Sequence, residues 1–125
     1  MRRTYEERLK ASKALESILE ILRNGFVLVE GEKDAASLGE CGINAVPVSG
    51  RPLSSIPAEG EVIILTDLDE AGDELAKILE MEFHSRKDVR KVDSLTRKKI
   101  GRLLNLVHFE NFSEKLEKTK KELEV

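Results

Sequence analysis

The sequence contains no tryptophan and no glutamine, and only one cysteine, Cys41. A lone cysteine excludes an intrachain disulfide, and Cys41 with His84 and His108 gives no zinc-site spacing. A reducing cytoplasm is the expected setting. No apolar run approaches the ~20 residues of a membrane span, so no membrane partner is expected. The first residues, Met1-Arg2-Arg3-Thr4-Tyr5-Glu6-Glu7, are too charged for a secretory signal. There is also no excess of positive charge: the formal net charge is -3. Attraction to nucleic acid by overall field is therefore excluded, and any such binding must rest on a local basic patch.

What is present is charge and aliphatic residues. Charged residues make up 36% and hydrophobic residues 40% of 125 positions, which suits one domain with a real core. The abundance of Lys, Arg and Glu leans towards a thermophilic source. Residues 4–23 read as an amphipathic helix, with Ala11, Ala14, Leu15, Ile18, Leu19 and Leu22 at helical spacing. Asn24-Gly25 is a helix stop, with the glycine free to turn left-handed. Phe26-Val27-Leu28-Val29 is a short unbroken apolar run, as in a strand buried on both faces. A helix over 32–41 follows.

Asn44 to Val48 forms a second strand, placed at the sheet edge by Pro47. Residues 49–60 are loop, rich in Ser, Gly and Pro. Glu61 to Thr66 is the clearest strand, followed by a helix over 70–83 with Leu75, Ile78, Leu79 and Phe83 on one face. Val89 to Val92 is a fourth strand. Asp93-Ser94 caps a helix over 95–104, with Leu95, Ile100, Leu103 and Leu104 facing the core. The charged tail over 110–125 has few apolar residues and reads as a solvated helix or docking segment.

Alternating strands and helices predict an α/β fold, a three-layer α/β/α domain with a parallel sheet. The strand order expected is 2-1-3-4, with extra helices at both ends. Such sheets bind ligands at the carboxyl ends of their strands. Both strong strands end there in carboxylates: Glu30 with Gly31, Glu32, Lys33 and Asp34 after the first, Asp67 and Asp69 with Gly72 after the other. Strands ~4.8 Å apart let these side chains share a cation. Acids brought so close repel unless neutralised, and oxygen ligands suit magnesium, with manganese as the alternative. Gly31 and Gly72 allow close backbone approach. Asp34 either joins the site or supports its helix start. Lys33 is a phosphate contact or a solvated lysine, and Arg51 in the loop is a candidate phosphate contact.

The stretch Val29-Glu30-Gly31-Glu32-Lys33-Asp34-Ala35-Ala36 resembles the first motif of the Toprim family, a strand followed by Glu-Gly and, three residues beyond the Gly, Asp. Ile64-Leu65-Thr66-Asp67-Leu68-Asp69-Glu70-Ala71-Gly72 resembles the second, Asp-x-Asp-x-x-Gly. The likeness spans residues 25–92 and is nearest to the 5S rRNA maturation ribonuclease, primase-type domains and small stand-alone prokaryotic Toprim proteins. It implies a magnesium-dependent nuclease or phosphotransfer protein acting on RNA or DNA. Glu30 would be the general acid or base or help hold metal, and Asp67 and Asp69 would bind magnesium. The chain departs from the topoisomerase pattern, with Ala71 at an acid position and its single tyrosine, Tyr5, on the first helix.

The alternative is a non-catalytic nucleic-acid binding or adaptor module. It would work as a homodimer or with a partner protein, docking through the tail or the stripe over 11–22. A phosphatase or nucleotide hydrolase is the third reading. Two basic clusters remain, Arg86, Lys87, Arg90 and Lys91, then Arg97, Lys98, Lys99 and Arg102. Either holds a phosphate backbone or is an exposed face. His84 and His108 have no evident partners in the sequence.

Overall fold

The structure, a computed structural model, describes residues 3–124. Its elements run α1 (Tyr5–Asn24), β1 (Phe26–Val29), α2 (Glu32–Gly39), β2 (Ala45–Pro47), β3 (Gly60–Ile64), α3 (Glu70–His84), β4 (Val89–Asp93), α4 (Thr96–Leu104) and α5 (Phe112–Glu122). Short 3-10 turns lie at Leu53–Ser55 and Phe109–Asn111. The four strands form one sheet in the order β2-β1-β3-β4, and every pairing is parallel. The expected fold class and strand order are those observed, with β1 and β3 at the centre and Pro47 on an edge strand.

Strand alternation divides the core between the two faces. Val27, Val29, Ile63 and Leu65 join Leu15, Ile18, Leu19 and Leu22 of α1, with residues of α2, α4 and α5, in one cluster. Leu28, Val62 and Ile64 face the other way, onto Ala76, Leu79 and Phe83 of α3. A central strand apolar on both sides is what such a two-faced core requires.

Several expectations change. Gly25 is not left-handed, with φ -96° and ψ 172°. Its lack of a side chain serves packing instead, because a Cβ there would lie 2.1 Å from Ile63 Cδ1. The left-handed helix stop occurs at Asn105, φ 53°, after α4. Ala14 is exposed. Ile78 and Leu95 are 54% and 67% exposed, so neither faces the core.

The tail is solvated on one face only. Phe112, Leu116 and Leu123 of the α5 region are buried in the same cluster as α1. The apolar stripe of each docking element considered from the sequence packs internally, that over 11–22 on the sheet. Arg86 is structural: it donates to the carbonyls of Ile56 (2.5 Å) and Leu53 (2.6 Å) and stacks 4.1 Å over Phe83. It thereby closes the loop between β2 and β3. No described helix is long and apolar enough to cross a membrane.

Candidate metal and phosphate site

The site begins where β1 and β3 end. The pairing continues one residue past the end of β3, with the Leu65 amide donating to the Leu28 carbonyl at 2.8 Å. Glu30 and Asp67 follow on adjacent chains, and Glu30 Oε1 accepts the Asp67 amide at 3.3 Å. Asp69 is the N-cap of α3, its Oδ1 accepting the Gly72 amide at 2.7 Å. One oxygen of Asp69 thus starts the helix, while the second stays on the site side, 3.9 Å from His108 Nδ1.

Gly72 is required by sterics. A Cβ there would lie 1.8 Å from the Asp67 carbonyl oxygen. The turn is clamped from inside as well. Thr66, fully buried, donates its hydroxyl to the Gly72 carbonyl at 2.7 Å. Arg97 Nε donates to the Thr66 carbonyl at 2.7 Å, and its Nη2 reaches the Asp67 carbonyl and, at 2.7 Å, Asp73 Oδ1. Arg97 is 2% exposed, so it leaves the surface basic strip to which the sequence assigned it. Its ion-pair partner Asp73 stays 57% exposed.

The site residues that the sequence did not suggest come from beyond α4. The amide of Leu68 donates to the Val107 carbonyl at 2.7 Å, which draws residues 106–109 over the turn. The Phe109 amide then donates to Asp67 Oδ1 at 2.9 Å, and His108 Nδ1 lies 3.1 Å from Asp67 Oδ2. His108, for which the sequence suggested no partner, thus has one. One ligand atom each from Asp67, Asp69 and His108 lie within 4.8 Å of one another. These two carboxylates and an imidazole could hold a divalent ion, and the imidazole departs from the all-oxygen set expected for magnesium. Glu30 borders this set through its bond to the Asp67 amide.

Electrostatics follow from the crowding. Burial, then the Asp67 carboxylate, raise the Glu30 pKa above the ordinary carboxylate value, against the opposing Asp67 amide. Burial likewise raises Asp34, whose Oδ2 accepts the Gly31 amide at 2.9 Å. Asp34 thus supports the start of α2. The hydrogen bond to Asp67 raises His108, with Asp67 and Asp69 charge adding to it.

Lys33 and Arg51 are exposed, and among the described residues no hydrogen bond or ion pair joins either to these carboxylates. Lys33 instead borders a shallow cleft with Glu40, Glu110, Glu114 and Glu117.

No family model matches the chain. Among curated proteins it is 38% identical over 99 residues to a UPF0292 protein of Thermococcus onnurineus, a match covering 73% of both chains. The chain belongs to the UPF0292 family. A second UPF0292 protein, from Thermococcus sibiricus, is 33% identical over 99 residues, 73% of this chain and 77% of the relative. One from Pyrococcus abyssi is 42% identical over 77 residues, 55% of this chain and 58% of the relative. A solved structure of an Aquifex aeolicus protein matches the fold of this UPF0292 chain with a TM-score of 0.65 at 24% identity. That match covers 80% of this chain and 95% of the other.

Proposed function

We propose that this UPF0292 protein is a Toprim-type phosphodiester-processing protein, a small magnesium- or manganese-dependent nuclease acting on RNA or DNA. The observation that carries the reading is the junction of Glu30 with Asp67. Two acids follow the carboxyl ends of neighbouring central strands, and the Asp67 backbone amide donates to Glu30 Oε1 at 3.3 Å, with Asp69 on the same turn. A bound divalent ion would neutralise the phosphate and stabilise the charge that develops on it. Asp67 and Asp69 would hold that ion, with His108 as a further donor. Glu30, its pKa raised by burial, holds a proton more readily than an ordinary glutamate and suits a general acid or base.

A second reading, a non-catalytic nucleic-acid binding or adaptor module, is favoured by one feature. Both Asp67 oxygens and one Asp69 oxygen already meet protein donors, as in a structural turn. Cleavage assays with Asp67→Asn and Glu30→Gln separate the two. Divalent-dependent cleavage lost in both folded variants supports the nuclease. Metal binding that depends on Asp67 without any cleavage supports the module.

A further inference from the structure

A groove of about 620 Å³ lies among α1, α4 and α5, outside the Toprim-like motifs. Its charged lining is Arg3 and Arg8, Arg102 of α4, Lys115 and Lys118 of α5, and the single acid Glu122. Five cations face one concavity in a protein whose net charge is -3. Among the described residues none of the five belongs to an ion pair. Glu7, close enough to Arg3 to feel its charge, is engaged in capping α1, its Oε1 accepting the Thr4 amide at 2.8 Å.

Two observations separate this groove from an ordinary solvated face. First, α5 sorts its charges. Lys115 and Lys118, one turn apart, line the groove, whereas Glu114 and Glu117 line the separate cleft beside α2. Second, the Arg8 Nε is buried and, among the described residues, has no hydrogen-bond acceptor, its guanidinium lying 6.0 Å over the Tyr5 ring. A buried N–H without a protein partner is rare in a folded protein. Its guanidinium is a fork suited to phosphate oxygens.

The geometry points to this groove as the seat of a nucleic-acid phosphate backbone. Cations drawn from three helices match a run of phosphates better than one small anion, and the half-buried Leu103 adds apolar contact for sugars or bases. Groove and carboxylates share one segment: Asn105 lines the groove, and His108 and Phe109 contact Asp67. The inference rests on the nucleic-acid reading above for the polymer, but not for the metal chemistry.

The test is binding of fluorescent single-stranded RNA, single-stranded DNA and duplex DNA by the full chain in EDTA, across a salt series. Arg102 and Lys118 are exposed, so Arg102→Gln/Lys118→Gln should keep the fold, as circular dichroism will report. The pair should lower the log–log salt slope by about 2, which is about 1 for each phosphate that the protein no longer neutralises. Lys87→Gln/Lys91→Gln, which removes the same charge elsewhere, should leave the slope unchanged. Arg8→Lys should weaken binding while keeping the charge. RNA or DNA as polymer is read from the strongest arm.

An unchanged slope in the folded groove variant overturns the inference. So does an equal drop in the Lys87/Lys91 control, absence of binding to all three polymers, or displacement by polyglutamate as effective as by nucleic acid, which would indicate an acidic protein partner. Groove binding that survives in a protein with no metal-dependent cleavage counts against the nuclease and leaves the groove standing.

Discussion

The Phe109 amide donates to the Asp67 carboxylate at 2.9 Å across 42 positions of sequence. The neighbouring His108 approaches the other oxygen of the same carboxylate. The segment between α4 and α5 is therefore part of the site, and α5 holds it there by burying Phe112 and Leu116 and by the bond from the Ser113 amide to Ser37 Oγ.

Gly72→Ala should damage fold and site together. The added methyl meets the Asp67 carbonyl oxygen, which belongs to backbone and cannot swing aside. A loss of about 1–3 kcal/mol or more is expected from overpacking. Urea unfolding measures it, and weaker metal binding by the surviving folded fraction would show that Asp67 has moved.

Arg97→Met should cost about 2–4 kcal/mol, because the carbonyls of Thr66 and Asp67 lose their donor in a buried place. Asp73→Asn should change little by comparison, since that side chain is 57% exposed. Chemical denaturation of both variants checks the contrast. Equal losses would mean that the ion pair, not the carbonyl clamp, is what matters.

Glu30→Gln should raise the melting temperature of metal-free protein at neutral pH while removing turnover. Burial and Asp67 raise the Glu30 pKa. A raised carboxyl favours folding below its unfolded pKa, and that contribution is lost as pH rises through the folded value. Glutamine keeps an oxygen for the Asp67 amide without the charge. Thermal melts below the ordinary glutamate pKa of about 4.3 and again at neutral pH should show the gain only at the higher pH.

His108 should titrate above the ordinary histidine value in metal-free protein, because its bond to Asp67 favours the charged ring. The stability it adds is full below the unfolded pKa and disappears as pH rises through the folded one. NMR titration, with His108→Asn to assign the signal, reads the value. If Asp67 holds a divalent ion, adding that ion should lower it.

The strands were legible because Phe26–Val29 and Val62–Leu65 are unbroken apolar runs. Once the sheet was parallel, the acids behind these runs had to converge at one edge. The segment around His108 was not legible, because no local spacing links it to Asp67. Its closing helix carries buried apolar groups at Phe112, Leu116 and Leu123 among many charges, enough for one face but too few to stand out in composition. Arg97 was hidden for a related reason. It stands in a basic run whose neighbours Lys98 and Lys99 are exposed, and only the helix phase turns it inward. Ile78 and Leu95 fail in the opposite sense, being apolar residues on the outward phase of their helices.

The most direct measurement is cleavage of structured RNA, single-stranded DNA and duplex DNA by the purified chain with magnesium, manganese or EDTA. Asp67→Asn and Glu30→Gln serve as folded controls. The account predicts metal-dependent cleavage of at least one polymer by the native protein, with loss of about a hundredfold or more in each variant. Cleavage that persists unchanged in Asp67→Asn, or that proceeds equally in EDTA, would contradict it.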